Sequence, residues 1–195
     1  MTDPEVLRTG PLADLRDPAE MVDAEVPFQG RVFDVRRETA RVGHGTVVRD
    51  FSTHHGAVAV LPIDDAGRVL LINQYRHPVR SRLWEIPAGL LDAPGEDPLE
   101  TARRELAEET DLVAAEWSPP LTFFTSPGQS DERVTLFEAR GLSAAPAPHP
   151  RTDEEAEIVL RWVELEEALE AATAGRIGNA ILLIALLRAF HARHA

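Results

Sequence analysis

The sequence predicts an α/β layered domain built on a mixed sheet, preceded by a small antiparallel β unit. Three observations carry this expectation. A β-type pattern fills the stretch from Val26 to Phe51. Apolar strand patterns and helical patterns then interleave from Gly56 onward. The last helical pattern is apolar almost all round, so it has to be buried.

The elements follow in order. Residues 1–25 are rich in Pro, Asp and Glu and read as a tail or linker. VPFQGRVFDVRRETA and HGTVVRDFS form the small β unit over 26–55, with 43–45 as its turn. The main domain spans 56–195. Gly56 opens the apolar strand AVAVLPID, 64–67 makes a turn, and RVLLINQYR is the next strand. The clearest helix covers 98–110. Asp97 suits its N-cap, Pro98 its first position, and Glu100 a capping-box-like spacing. Leu99, Ala102, Leu106 and Ala107 supply its buried stripe. Strands are expected over 117–125, 133–139 and 156–163, helices over 164–173 and 179–193, and a loop over the Ala/Pro-rich 143–150. The run ILLIALL in the final helix packs into the domain or against a partner chain.

Composition excludes several function classes. Lys and Arg number 20 against 33 Asp and Glu, giving a net charge of −13. Such a surface repels nucleic-acid backbone, so no nucleic-acid partner is expected. Small phosphorylated ligands stay open where metal ions or a local arginine offset the repulsion. There is no cysteine, which removes disulfide and thiolate chemistry and fits a reducing cytoplasm. The N-terminus lacks the pattern of a signal peptide. The longest apolar run, 180–187, falls well short of the roughly 18 residues of a membrane span, so no membrane partner is expected either.

The segment WEIPAGLLDAPGEDPLETARRELAEETDL, residues 84–112, carries the chemistry. Glu105 and Glu109 are four apart and share one helix face, with Glu108 alongside. Like charges at this spacing repel, which a chain tolerates more readily where a cation sits. Hard divalent cations take carboxylate oxygens and keep several waters. A solvated acidic face is the bland reading of ERELAEE. The strand-like WEIPAG, the following loop and the capped helix together outweigh it.

This segment resembles the Nudix box: Gly, five residues, Glu, seven residues, Arg-Glu, an aliphatic residue, any residue, Glu-Glu, any residue, Gly and an aliphatic residue. Gly89, Glu96, Arg104, Glu105, Leu106, Glu108, Glu109 and Leu112 match it. There are two departures. Six residues separate Gly89 from Glu96, and Asp111 stands where glycine is usual. The insertion falls in a loop, and Asp enters the left-handed conformation more easily than most residues. NQYRHPVRSRLWEIPAG ahead of the box and SPGQSDE after it are similar to the ADP-ribose pyrophosphatase branch of that family.

The resemblance implies an α/β/α sandwich and a homodimer that exchanges its N-terminal β unit. The implied activity is metal-dependent hydrolysis of ADP-ribose to AMP and ribose 5-phosphate. Mg²⁺ or Mn²⁺ would act, two or more ions per site. By resemblance Glu105 and Glu109 are the main metal ligands, Glu108 assists, and the carbonyl of Ala88 adds a main-chain ligand. Glu96 and Arg104 pair and lock loop to helix. The general base comes from the acidic run 152–157, with Glu154 favoured and Glu155 second. Arg76 contacts the diphosphate. Phe33 and Phe51 are candidates to sandwich adenine. Ser130 and Glu132 line up with the loop that closes on substrate. The adjacent His54 and His55 point to opposite faces of a strand and cannot share an ion. Two other readings remain: another nucleoside diphosphate substrate such as a nucleotide sugar or NADH, and a non-catalytic binding module of the same fold.

Overall fold

The computed structural model describes residues 10–91, 95–151 and 157–194. They form two compact units. One comprises the residues up to His54 with Gly128–Asp131, and the other comprises His55–Pro127 with the residues from Glu132 onward.

The first unit is an antiparallel meander of β1 (Glu20–Gln29), β2 (Asp34–Val42) and β3 (Gly45–Thr53). Gly43, at φ 59°, turns the chain between β2 and β3. β1 starts at Glu20, so residues 20–25 are strand and not tail as the composition suggested. The cause lies in charge. The acids that read as linker face arginines of β2: Glu20 pairs with Arg41 at 3.1 Å and Glu25 with Arg37 at 3.1 Å. Arg37 also binds Asp50 of β3 at 2.7 Å. Opposite charges across neighbouring strands stabilise pairing, as apolar pairs do. Every residue of β1 is exposed, including Met21, Val22, Val26 and Phe28. The segment 128–131 is stitched to β3: Ser52 N donates to Gln129 O at 3.0 Å and His54 N to Asp131 Oδ1 at 2.8 Å.

The second unit holds the strands β4 (Ala57–Pro62), β5 (Arg68–Arg76), β6 (Ser81–Glu85), β7 (Ala88–Leu90), β8 (Leu112–Trp117), β9 (Leu121–Phe124), β10 (Arg133–Ala144) and β11 (Val159–Glu164). Its helices are α1 (Pro98–Thr110), α2 (Leu165–Thr173) and α3 (Ala180–His194). One sheet runs β7-β4-β10-β8, with β9 also on β10; a second runs β11-β5-β6. β10 is parallel to β4 and antiparallel to β8 and β9, so the sheet is mixed as expected. β4 and β5 form no ladder with each other: an isolated antiparallel bridge, Ile63 with Val69, follows the end of β4, and the two strands enter different sheets.

That parting explains the layers. Side chains of β4 alternate between two cores. Ala57, Ala59 and Leu61 face a core shared with β5, β11, α2 and α3. Val58 and Val60 face a smaller core under α1, closed by Ala102, Leu106, Phe137 and Ala139. α3 buries Leu182, Ala185, Leu186 and Ala189, while Leu187 and Phe190 stay exposed. It is therefore a one-sided helix despite its apolar run. Among the described residues no helix is long and apolar enough to cross a membrane.

The divergence point is fastened by Asp64. Its Oδ1 accepts from Ala66 N at 3.0 Å and Arg68 N at 2.8 Å, and its Oδ2 pairs with Arg68 at 2.7 Å. Burial opposes the charge, but these bonds outweigh it and hold the carboxyl below its ordinary 3.8. Asp64→Ala is expected to lower stability by about 1–3 kcal/mol in urea titration. The carboxylate's contribution should be complete above the unfolded value near 3.8 and vanish as pH falls through the lower folded one. The wild-type advantage over the alanine variant should therefore disappear only in strong acid.

Candidate active site

The site is built on α1. Asp97 caps its start, accepting from Leu99 N at 2.8 Å, and Pro98 occupies the first turn. Ala102 and Leu106, both at 0% exposure, fix which face of the helix meets β4. Once Leu106 is inside, Glu105 and Glu109 are forced to the helix edge that borders β7.

Glu109 is only 6% exposed, and its Oε2 accepts from Ala88 N at 3.0 Å. Glu105 lies over Gly89. A β-carbon added at Gly89 would fall 2.0 Å from Glu105 Cδ and 2.1 Å from its Oε1. The glycine of the box thus leaves the space in which the Glu105 carboxylate sits, and its backbone angle does not call for glycine. Arg104 Nη1 reaches Glu105 Oε1 at 2.8 Å and Glu108 Oε2 at 3.0 Å. Glu96, expected to pair with it, does so at 4.0 Å. Two carboxylates on the same helix turn draw the guanidinium more strongly than one loop acid. Burial works against the charge on Arg104, yet Glu105, Glu108 and Glu96 together hold its pKa above the ordinary value.

Among the described residues no three His, Asp or Glu side chains already form a ready-made metal cage. Glu105 and Glu108 turn to Arg104, and Glu109 turns to the Ala88 amide. The donor set nevertheless fits a hard divalent cation. It offers carboxylate oxygens at i, i+3 and i+4, with the Glu105 carboxylate seated in the space left by the missing side chain of Gly89.

The remaining expected residues are distributed as follows. Glu154 and Glu155 lie outside the described residues. Arg76 ends β5 and grips Glu85 of β6, with Nη2–Oε2 at 2.7 Å and Nε–Oε1 at 3.1 Å. Glu85 is buried at 4% exposure and also accepts from Gln74 Nε2 at 3.4 Å. Sequence reasoning passed over Glu85, a lone acid inside the otherwise apolar WEIPAG. Glu132 accepts a hydrogen bond from Thr125 Oγ1. In the N-terminal unit, Phe33 stacks on His54 with centroids 5.5 Å apart, and Phe51 lies on β3, half-buried, opposite Arg36. Ser130 Oγ donates to Ser52 O at 3.3 Å. Asp111 ends α1 at φ 57°, its N–H bonded to Ala107 O at 3.0 Å, so the left-handed stop expected of it is realised without glycine.

The comparisons with known proteins agree with this architecture. Residues 53–183 match the NUDIX domain, and the chain belongs to that family. It is similar to the ADP-ribose pyrophosphatase of Mycobacterium tuberculosis, 41% identical over 174 residues, which is 89% of this chain and 83% of that protein. It is also similar to the ADP-ribose pyrophosphatase of Bacillus subtilis, 37% identical over 154 residues, covering 78% and 82% respectively. A solved structure described as an ADP compounds hydrolase has the same fold. Its TM-score is 0.73 at 20% identity, covering 94% of this chain and 99% of that one.

The close approach at Gly89 makes a direct test. Gly89→Ala is expected to cost about 1–3 kcal/mol in thermal or urea unfolding, because the new methyl displaces the Glu105 carboxylate. In the Glu105→Ala background the same change should cost much less. Equal costs in both backgrounds would show that Glu105 is not what the methyl meets.

Proposed function

We propose that this chain hydrolyses the pyrophosphate bond of ADP-ribose, giving AMP and ribose 5-phosphate. The reaction class rests on one observation: Glu105 and buried Glu109 share the edge of α1 that packs on Ala88 and Gly89. The choice of ADP-ribose is supported by the relatives at 41% and 37% identity.

Glu105, Glu108, Glu109 and the carbonyl of Ala88 would hold Mg²⁺ or Mn²⁺, two or more ions in all. Bound there, the metal would neutralise phosphoryl oxygens and acidify the attacking water. Water attacks one phosphorus, the bond from that phosphorus to the bridging oxygen breaks, and the water's proton passes to a carboxylate. Glu154 is the favoured base and Glu155 the second, since the box glutamates are engaged with metal. Arg76 presents its guanidinium to the diphosphate, where forked hydrogen bonds suit phosphate oxygens. Phe33 and Phe51 supply aromatic faces for adenine. Ser130 and Glu132 belong to the segment that closes on substrate. Arg104, bonded to both Glu105 and Glu108, offsets their mutual repulsion.

The working form is a homodimer that exchanges the N-terminal meander. Met21, Val26 and Phe28 on the fully exposed β1 support a second copy as cover. A cytoplasmic place of action is in keeping with a chain that has no cysteine.

Steady-state assays with Mg²⁺ and a panel of nucleoside diphosphate derivatives test the substrate. ADP-ribose should give the highest kcat/KM, and a nucleotide sugar or NADH turned over far faster would refute the choice. Glu105→Gln and Glu109→Gln should each cost more than the roughly 10- to 100-fold lost with an outer-shell metal partner, while the fold persists. Light scattering during size exclusion should give twice the chain mass, and a chain lacking residues 1–53 should lose it.

A further inference from the structure

Asp111 is the position where this chain departs from its family's glycine. A glycine would take φ 57° with less strain. Asp111 instead contributes a side chain, and both of its carboxylate oxygens go to one segment. Oδ1 accepts from His149 N at 2.9 Å, and Oδ2 accepts from Arg151 Nη2. The Asp111 carbonyl accepts from Ala145 N at 2.8 Å. Arg151 also donates from Nε to the Glu108 carbonyl at 3.3 Å. Its guanidinium, 22% exposed, therefore sits at the negative end of the α1 macrodipole.

The direction of the constraint is readable. α1 is already fixed by Ala102 and Leu106, which are fully buried. The segment 145–151 has no regular pairing of its own, and Pro146, Pro148 and Pro150 leave it few backbone donors. Two of those donors, Ala145 N and His149 N, are spent on Asp111. The helix thus holds the segment, at a point one turn or less from Glu108 and Glu109. Beyond Arg151 the sequence runs directly into Thr152-Asp153-Glu154-Glu155. On the far side Glu157 ion-pairs with Arg82 of β6.

We propose that Asp111 and Arg151 are positioning residues for the hydrolytic step. They tie the entry to the base-bearing segment onto the helix that carries the metal ligands, a tie that glycine at 111 cannot make. The proposal rests on the reading that Glu154 or Glu155 is the general base.

The test is steady-state hydrolysis of ADP-ribose with Mg²⁺ by the full chain. Asp111→Gly and Arg151→Met should each lower kcat by roughly 10- to 100-fold, the cost of a misplaced catalytic group, with KM little changed. Asp111→Asn keeps an acceptor for His149 N and should recover part of the loss. Thermal unfolding checks that each variant folds, and Asp111→Asn with Arg151→Met carries the test if Asp111→Gly does not. Glu154→Gln and Glu155→Gln identify the base. In the background of whichever of these loses turnover, Asp111→Gly should cost little more, because there is no longer a base to position. Wild-type kcat in Asp111→Gly and Arg151→Met would overturn the pair's role while leaving the base assignment intact. A full-size loss that persists in the base-less background would overturn it too. If neither glutamine variant loses turnover, the base assignment fails first and this proposal falls with it.

Discussion

The contact on which this structure turns is the approach of α1 to β7 at Gly89. Burying Leu106 under the sheet brings the neighbouring Glu105 down onto the strand, into space that exists only because Gly89 has no side chain. The same rotation puts Glu109 against the Ala88 amide. Partly buried carboxylates are costly unless they are bonded, and here an amide and a guanidinium offset that cost. The hydrophobic stripe therefore does more than dock a helix. It gathers negative charge at one place, where a cation is the natural counterpart.

Much of the main domain was legible in the sequence because its local signals are strong and agree with one another. Asp97 and Pro98 mark the start of α1, and the helix begins there. The unbroken apolar run AVAVLP marks a strand buried on both faces. The box spacing picks out Glu105, Glu109 and Gly89, which the fold brings together where α1 packs on β7. The fate of the second strand was less readable. A turn after β4 suggests a hairpin, yet β4 and β5 form no ladder with each other. Which sheet a strand enters is decided by distant partners, β10 and β11, and local pattern does not carry that information.

Residues 20–25 looked like linker because they are acidic, but their charge finds its complement in the fold, Arg37 and Arg41 of β2. The motif's pairing of Glu96 with Arg104 is present at 4.0 Å, and Glu105 and Glu108 join it from the helix. Glu85 went unnoticed in the sequence. A lone acid in an apolar strand carries no periodic signal, and its value shows only when Arg76 and Gln74 arrive from β5.

The parallel pairing of β10 with β4 sets the order in which the molecule can assemble. The meander β1-β2-β3 closes through neighbours, with Gly43 bending the chain between β2 and β3. β4 is synthesised soon afterwards, yet its parallel partner begins at Arg133, on the far side of α1. Closing so long a loop is slow, and it comes late in the life of a nascent chain. While the ribosome is still translating the intervening stretch, the apolar AVAVLP has only the short β7 for one edge and nothing for the other, and that interval is when the polypeptide most needs shielding from its neighbours.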